Sequence, residues 1–380
     1  MPPARPLDPT RRRLLLGACA GLALTACSHA AGPALGRQPG LRLIGEARLP
    51  HRLRFRDTTV GGLSGLDYDP VQDLWVAISD DRDAARFYTL HLPLTATQIG
   101  PPELLDVVRL DAPSRPDAEA IRWRPATGTV LWSTEGDVRL GRPLSLHEST
   151  RDGRLLRSFA LPAHFAVDPH NQRGPRHNLG FEGLALTPDG EQVWVAMENA
   201  LLQDGPEPTL QQPGGPCRFT LFDLASGRAL AQRAYIPEAI PHPPRAPGLY
   251  ADNGVSEILM LDAGRMLVLE RSYAMGTGTT LRLFRVDLAS GEDTLALDRL
   301  EPGGFRPLAK TLVADLAAYV ATDHRPGLSR LDNTEALAWG PLLPARDGQP
   351  AQRTLVLLSD DNFNPLQVTQ FVAFALTDDL

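Results

Sequence analysis

The chain has 380 residues, 43% of them hydrophobic, and a formal net charge of −7 at pH 7. This length can bury a large core, and it normally divides into two domains unless the fold is one architecture built from repeats. Nucleic acid is excluded as a partner, because the chain is acidic and lacks the basic runs that bind phosphate backbones. The same acidity favours divalent cations.

Residues 1–26 are predicted to be a twin-arginine lipoprotein signal peptide. Arg11-Arg12-Arg13 precede the apolar run 14–26, which is shorter than the roughly 20 apolar residues of a membrane-spanning helix. A charged segment before a short apolar run is typical of export signals. The run ends in Leu24-Thr25-Ala26-Cys27, which resembles a bacterial lipobox and predicts lipidation of Cys27. Cys19 is the weaker alternative, because it would leave almost no apolar run.

Cleavage before Cys27 has three consequences. The protein is expected to be exported, as a periplasmic or cell-envelope lipoprotein that contacts the membrane only through its lipid. Removal of four arginines and one aspartate takes away a net charge of +3, so −7 becomes −10. Cys217 remains as the only other cysteine, which excludes an intramolecular disulfide. Residues 27–40 are predicted to be a tether and residues 41–380 the folded domain; the oligomeric state is left open.

The folded part is predicted to be all-β, because short apolar runs alternate with turn residues, among them many of the 35 prolines and 33 glycines. One pattern recurs: a small or apolar residue, usually a glutamate, and a short apolar stretch. Its five copies centre on Ser64, Glu119, Glu182, Glu257 and Glu335. Each is followed by an apolar strand that ends in polar or acidic residues, among them Asp80, Asp81, Glu135, Glu198, Glu270, Asp360 and Asp361.

Repeated units of about four strands predict a β-propeller. Five blades can be counted, and a divergent sixth could lie in 138–180 or 289–330. A spare strand at 41–49 precedes the first unit and is expected to complete the last blade, so that the N-terminal strand closes the ring. A pair of β-sandwiches is the alternative, although it does not explain a glutamate repeated at one strand position.

The start of one strand and the end of its antiparallel neighbour lie at the same edge of a sheet. The repeated acidic residues should therefore meet on one rim of the propeller axis, where Ca²⁺ is the expected occupant. The predicted metal ligands are Glu119, Glu182, Glu257, Glu335, Asp80, Asp81, Glu198, Glu270, Asp360 and Asp361. The predicted catalytic residues are Glu182, Glu257 and Arg271, and Arg122 and Arg176 are further candidate counter-charges.

Two other interpretations remain open at this point. Repeated acidic residues at strand ends also occur where they only keep sheet edges soluble or cap turns. Ser64 stands where other repeats carry glutamate, so it is a candidate nucleophile, although no nucleophile-elbow motif surrounds it.

Three segments resemble a known family. They are 178–185 with 194–199 (Asn-Leu-Gly-Phe-Glu-Gly-Leu-Ala and Trp-Val-Ala-Met-Glu-Asn), 253–257 (Asn-Gly-Val-Ser-Glu) and 355–363 (Leu-Val-Leu-Leu-Ser-Asp-Asp-Asn-Phe). Together they resemble the phytase-like family, also called "esterase-like activity of phytase". The resemblance covers about residues 41 to 376, and it implies an exported propeller that hydrolyses phosphate or carboxylic esters.

Three functions follow as hypotheses. The first is a metal-dependent hydrolase of a small ester or phosphoester, with its acidic site on the propeller axis. The second is a lipoprotein without catalytic activity, whose propeller binds a ligand or partner. The third keeps the metal and hydrolyses lactones.

Overall fold

The strand Gln192–Met197 illustrates why these segments form sheets. Its branched and aromatic side chains suit a pleated, buried surface, and all but the first residue are buried. The turn before it, 187–190, has the sequence Thr-Pro-Asp-Gly; Gly190 adopts a φ of 72° and donates its N–H to the carbonyl of Thr187 at 2.8 Å. Strand–turn–strand units of this kind recur along the chain.

The computed structural model describes residues 40–112, 115–345, 350–377 and 380. The predicted signal peptide, Cys27 and all of the tether except Gly40 lie outside the described residues. Within these residues the secondary structure is β-strands and four short 3-10 helices, namely Val138–Leu140, Ala163–Phe165, Leu288–Ser290 and Leu316–Tyr319. No helix in this part of the chain is long and apolar enough to span a membrane.

Five four-stranded antiparallel sheets form the blades, and the strands of each follow in order from the innermost outward. Blade 1 comprises β4 (Leu63–Asp69), β5 (Leu74–Ser79), β6 (Arg86–His91) and β7 (Glu103–Arg109). Blade 2 comprises β8 (Ala118–Arg124), β9 (Thr129–Thr134), β10 (Ser145–Thr150) and β11 (Leu155–Ser158). Blade 3 comprises β12 (Phe181–Leu186), β13 (Gln192–Met197), β14 (Cys217–Asp223) and β15 (Ala229–Tyr235).

The remaining two blades complete the chain. Blade 4 comprises β16 (Ala251–Met260), β17 (Arg265–Ala274), β18 (Gly278–Asp287) and β19 (Ala309–Asp315). Blade 5 comprises β20 (Thr334–Leu343), β21 (Gln352–Ser359), β22 (Gln370–Leu376) and β1 (Leu41–Arg48). The strands β2 (Arg54–Phe55) and β3 (Thr58–Thr59) form a small separate hairpin.

The five inner strands lie around one axis. Each of β4, β8, β12, β16 and β20 contacts the inner strands of the blades before and after it, and β20 contacts β4. The all-β fold and the five-bladed propeller are therefore confirmed. The two stretches considered for a sixth blade instead hold β10 and β11 of blade 2 and β19 of blade 4.

The N-terminal strand β1 pairs antiparallel with β22, from Leu41 opposite Leu376 to Arg48 opposite Gln370. Blade 5 thus combines three strands from the end of the chain with one from its beginning. The hydrophobic core lies between neighbouring blades; blades 1 and 2, for example, enclose Phe87, Trp123 and Trp132. Burial between blades fixes the inner strands that carry the site.

Candidate metal centre and active site

The same irregularity occurs in all five inner strands. In blade 1, Leu63 pairs with Ser79 and Gly65 with Ile78, so that Ser64 is an extra residue in the first strand. The other four blades show an equivalent β-bulge, which follows the first pair in blades 2, 3 and 5 and the fifth pair, Val255 with Glu270, in blade 4. Bulges redirect side chains and are frequent beside functional sites.

The pair that directly precedes the bulge in each blade defines three sets of equivalent residues around the axis. The bulge positions follow the pair in the first strand and are Ser64, Glu119, Glu182, Ser256 and Glu335. The leading positions precede the pair in the first strand and are Gly62, Asp117, Gly180, Gly254 and Asn333. The trailing positions follow the pair in the second strand and are Asp80, Glu135, Glu198, Arg271 and Asp360.

Side chains from all three sets line a cavity of about 580 Å³, which we call the acidic cavity. Its wall holds ten carboxylates and three arginines, which leaves a surplus of negative charge. The carboxylates belong to Asp80, Asp81, Asp83, Asp117, Glu119, Glu135, Glu182, Glu198, Asp252 and Glu335, and the arginines are Arg82, Arg115 and Arg271. Like charges at this density require protonation or a bound cation.

Blade 2 contributes the tightest group of carboxylates. Asp117, Glu119 and Glu135 are all buried, and each offers a carboxylate oxygen that lies within 4.8 Å of the other two. Arg82 pairs with Asp117 and lies 3.8 Å from Glu135. One shared guanidinium leaves this triad with more negative than positive charge.

Burial is the main reason that several carboxyl groups of the acidic cavity have raised pKa values. It raises the pKa of Glu119 well above its ordinary value, and the charges of Glu182 and Asp117 add to the effect. Burial and then the charges of Glu198 and Glu135 raise the pKa of Glu182 in the same way. The pKa of Glu198 rises only to about 7, because Arg271 opposes the effect of burial.

Blade 4 places a cation at its trailing position. The Arg271 guanidinium lies 3.1 Å from Glu198 and 2.6 Å from Glu335, and it also contacts Asn333. Burial disfavours its charge, but Glu335, Glu198 and Glu182 together hold its pKa above the ordinary value. Arg271 is therefore a fixed positive charge among the carboxylates.

The structure brings most of the sequence-predicted residues to this cavity. Seven line its wall, namely Asp80, Asp81, Glu119, Glu182, Glu198, Glu335 and Arg271. Of the candidate counter-charges, Arg176 lines an adjoining cleft and Arg122 lies on the axis. Four predicted ligands, Glu257, Glu270, Asp360 and Asp361, do not line the cavity.

Glu257 and Glu270 are corrected by the register of blade 4. The residue equivalent to Glu182 is Ser256 rather than Glu257, and the residue equivalent to Glu198 is Arg271 rather than Glu270. A shift of one residue turns a side chain to the other face of a strand. Glu257 consequently pairs with Arg122 at 2.8 Å, and Glu270 accepts from the Lys310 ammonium at 2.7 Å and from the Tyr235 hydroxyl at 2.5 Å.

The two aspartates of blade 5 also have other surroundings. Asp361 accepts from the N–H groups of Gly62 at 3.1 Å and Phe363 at 3.0 Å, which makes it a turn residue. Asp360 occupies a trailing position but is completely buried, and burial followed by the charges of Glu335 and Asp80 raises its pKa well above its ordinary value. Neither carboxylate opens into the cavity.

Ser64 does not have the surroundings of a nucleophile. Its side chain is 1% exposed and donates to the carbonyl of Ala118 at 2.8 Å. No histidine lies among the residues that line the acidic cavity. The hydroxyl therefore joins blades 1 and 2.

Several residues of the cavity wall were missed at the sequence level, among them Arg82, Asp83, Arg115, Asp117 and Tyr250. Asp117 lies two positions before Glu119, and side chains two apart share one face of a strand, so alternation could have identified it. Arg82 directly follows the predicted pair Asp80-Asp81. Tyr250 lies just before β16, and no local pattern marks it.

The acidic cavity adjoins a larger cleft of about 1210 Å³. The two share Asn178, Leu179, Tyr250 and Asp252. Tyr250 is 56% exposed, and its hydroxyl donates to Asp252 at 2.6 Å. The geometry therefore provides room for a ligand much larger than an ion beside the carboxylates.

The acidic cavity fits a hard divalent cation. Its donors are oxygens, and Ca²⁺ takes roughly six to eight oxygen ligands in irregular geometry. The backbone also makes room for the carboxylates: a Cβ on Gly180 would lie 2.6 Å from the Cβ of Glu135, and Gly180 donates its N–H to Glu135 at 3.3 Å. Blade 2, with Asp117, Glu119 and Glu135, is the place where such a cation would be held.

Solved structures with a related arrangement belong to proteins of diverse function. A Coprinopsis cinerea GH62 α-L-arabinofuranosidase catalytic domain is 10% identical, with a TM-score of 0.42, over 89% of this chain and 98% of that one. A Pseudomonas aeruginosa periplasmic gluconolactonase is 13% identical, with a TM-score of 0.33, over 85% of this chain and 88% of that one. Hydrazine synthase of Kuenenia stuttgartiensis is 10% identical, with a TM-score of 0.36, over 83% and 82%.

In sequence, no curated protein matches the chain significantly. A family profile does match, and it extends from residue 58 to residue 363. The matched span runs from β3 to the segment after β21 and includes every residue of the acidic cavity. The chain therefore belongs to the Phytase-like family, whose description is "esterase-like activity of phytase".

Proposed function

We propose that this protein is a metal-dependent hydrolase of esters or phosphoesters, with its active site in the acidic cavity. The observation that carries the proposal is the buried triad of Asp117, Glu119 and Glu135, whose carboxylate oxygens lie within 4.8 Å of one another. A hydrolytic activity agrees with the description of the family. Calcium is the proposed cation because the available donors are carboxylate oxygens.

A divalent cation bound at the triad would polarise an ester oxygen and lower the pKa of a bound water. The other roles belong to residues of the chain. Glu182 is the proposed general base, because its carboxylate faces the cavity and burial raises its pKa above the ordinary value, which makes the ionised form a stronger base. Arg271 is the proposed stabiliser of negative charge that develops on the substrate.

The composition of the cavity supports a substrate with few negative charges. Ten carboxylates surround the proposed reaction centre, and the one lysine of the chain, Lys310, is held by Glu270 at 2.7 Å and Glu238 at 2.9 Å. Lys310 is therefore engaged outside the cavity. We infer a mono-ester or monophosphate whose remaining part occupies the cleft beside Tyr250.

We also propose that the protein acts outside the cytoplasm, where its lipidated Cys27 attaches it to a membrane. The support is the arginine-rich start of the chain and the lipobox-like Leu24-Thr25-Ala26-Cys27. Metabolic labelling with a palmitate analogue tests this directly, because Cys27→Ser should abolish the label. Labelling that persists in Cys27→Ser contradicts the anchor without affecting the proposed activity.

The function is tested by calcium binding and turnover on purified protein. Calorimetric titration with Ca²⁺, followed by assays with an aryl phosphate, an aryl acetate and a γ-lactone, should show binding and calcium-dependent hydrolysis of at least one substrate. Glu119→Gln should lower calcium affinity at least tenfold, and turnover should fall with it. Glu182→Gln should lower turnover more than affinity, since the proposed base is not part of the triad.

A matched control is available in the same blade. Glu148 is buried and pairs with Arg124 at 2.5 Å and Arg157 at 2.7 Å, on β10 and away from the cavity. Glu148→Gln should leave calcium affinity and turnover within about twofold of wild type. Absence of any bound cation in wild-type protein overturns the proposal, whereas calcium binding without turnover favours a propeller that only binds a ligand.

A further inference from the structure

We propose that Arg122 is a positioning residue for the acidic cavity, because its guanidinium sets the separation of the five inner strands at the propeller axis. The predicted effect on cation binding rests on the proposed function. The hydrogen bonds of Arg122 do not depend on that function, since Arg122 is only 2% exposed and does not line the cavity.

The guanidinium of Arg122 donates to one backbone carbonyl from each of the five inner strands. Nε donates to Leu184, and the two Nη atoms donate to the other four carbonyls. The donor–acceptor distances are 2.6 Å to Leu66, 3.0 Å to Ile121, 2.7 Å to Leu184, 3.1 Å to Ile258 and 3.2 Å to Leu337.

A guanidinium has five N–H groups in a fixed planar fork. Each of the five can therefore serve one blade, and the number of donors equals the number of blades. A lysine ammonium has three donors, and an aliphatic side chain has none. Arginine is thus the side chain that can satisfy this ring of buried carbonyls.

The five carbonyls also lie at a constant distance in sequence from the bulge positions. Each belongs to the residue two positions after a bulge position, as Ile121 follows Glu119 and Leu184 follows Glu182. In blade 5 the same spacing relates Leu337 to Glu335. A change in the distance between the carbonyls would therefore move the bulge-position carboxylates relative to one another.

Glu257 holds the guanidinium in place. Its Oε2 lies 2.8 Å from Arg122, and its Oε1 accepts from the N–H groups of Leu184 and Ile258, each at 2.9 Å. Glu257 thereby bridges β12 and β16 and also balances the buried charge. A Cβ on Gly183 would lie 2.9 Å from Glu257 Oε1, so the residue next to Glu182 must be small for the bridge to form.

The direct test compares Arg122→Lys with wild type. Lysine keeps the positive charge for Glu257 but cannot bond all five carbonyls, so the strands lose their common anchor. Calorimetric titration with Ca²⁺ should show an affinity at least tenfold lower than wild type. An unchanged calcium affinity, whatever the change in melting temperature, overturns the positioning role.

A stability-matched control separates positioning from general destabilisation. Val286 on β18 is fully buried in the core between blades and distant from the axis. Val286→Ala should lower the melting temperature without changing calcium affinity by more than about twofold. An equal loss of affinity in Val286→Ala would show that any destabilisation weakens the site, and the inference fails.

Two further measurements cover the remaining outcomes. If Arg122→Lys does not fold, hydrogen exchange on wild-type protein replaces it: saturating Ca²⁺ should slow exchange at the amides of Leu184 and Ile258, because coupling between two sites is reciprocal. No change at these amides contradicts the inference. If wild type binds no cation, the proposed function fails, and the inference is tested by crystal structures of wild type and Arg122→Lys. The carboxylates of Glu119, Glu182 and Glu335 must lie further apart in the variant than in wild type, and unchanged distances contradict the inference.

Discussion

Blades 2 and 4 place equivalent residues around the same axis, but they fill these positions with different charges. In blade 2 the leading, bulge and trailing positions are Asp117, Glu119 and Glu135. In blade 4 they are Gly254, Ser256 and Arg271. The backbone is repeated five times, whereas the chemistry differs from blade to blade.

This difference gives the acidic cavity two unlike sides. The blade 2 side can hold a cation, and the blade 4 side carries its own fixed cation, paired with Glu198 and Glu335. A substrate oxygen between them would face positive charge from both directions. A ring with five identical carboxylates would bind ions but would offer no such polarity, so the departure of blade 4 from the repeat is part of the proposed function.

The largest expected change in stability comes from a substitution that makes the trailing position of blade 4 acidic, as it is in the other four blades. Arg271→Glu leaves Glu198 and Glu335 without their cation and adds a third carboxylate, so the metal-free protein should lose about 3–5 kcal/mol of its free energy of unfolding. Urea denaturation in a chelating buffer measures the loss. Arg271→Lys is the control and should lose less, because it keeps the charge. Equal stability of Arg271→Glu and wild type would contradict the assigned role.

The sequence sufficed to predict the architecture because the architecture depends on a repeated pattern. Alternating apolar strands, turn residues and a periodic glutamate recur along the chain, and burial between blades makes that pattern obligatory. Seven of the residues predicted for the site reach the acidic cavity for the same reason. Asp80, Glu119 and Glu335 were identified because their position in the repeat fixes their position in space.

The predicted ligands that do not line the cavity belong to blades 4 and 5, and in blade 4 the cause is an imperfect repeat. Ser256-Glu257 was aligned through its glutamate, as the other copies suggested, whereas the bulge places Ser256 in the ring. Bulges are backbone features, and the side chains beside them do not specify their position to one residue. Tyr250 comes from a connection between blades, and only the folded chain shows that it reaches the cavity.

A second prediction concerns pH and the outer part of blade 2. His147 on β10 is buried against Trp132, with a ring–ring distance of 4.3 Å, and burial lowers its pKa from 6.5 to about 4. Between these two pH values the unfolded chain is protonated at His147 and the folded chain is not. The free energy of unfolding should therefore fall as pH is lowered from about 6.5 to about 4, by on the order of 2–3 kcal/mol from this residue.

The carboxylates of the cavity act in the opposite direction. Their raised pKa values mean that acid stabilises the folded state through them, so the raw pH profile combines both contributions. His147→Gln isolates the histidine, because Gln can still contact Ser158, the partner of Nδ1 at 2.8 Å. The difference in free energy of unfolding between wild type and variant should change between pH 6.5 and pH 4 and level off on either side. A difference that stays constant across this interval would show that His147 does not titrate as expected.

A third prediction concerns blade 2, where removal of a charge should stabilise the metal-free protein, whereas the charge reversal in blade 4 should destabilise it. Glu119→Gln removes one carboxylate from the triad, so the metal-free protein should gain about 1–2 kcal/mol in its free energy of unfolding, since repulsion and desolvation are relieved. With saturating Ca²⁺ the order should invert, because wild type alone gains the full binding energy. Urea denaturation with and without Ca²⁺ tests both halves. Destabilisation of the metal-free variant would mean that Glu119 is structural.

The smallest expected effect is the difference in stability between alanine substitutions of two serines at equivalent bulge positions, Ser64 and Ser256. The Ser64 hydroxyl donates to Ala118 at 2.8 Å, whereas the Ser256 hydroxyl is buried without a hydrogen-bond partner among the described residues. Ser64→Ala should therefore cost about 1 kcal/mol, and Ser256→Ala should be neutral or slightly stabilising, because an unsatisfied buried hydroxyl is removed. Matched urea denaturation of the two variants measures the difference. Equal losses would show that the Ser256 hydroxyl makes a hydrogen bond as strong as that of Ser64 and would contradict this difference between the two blades.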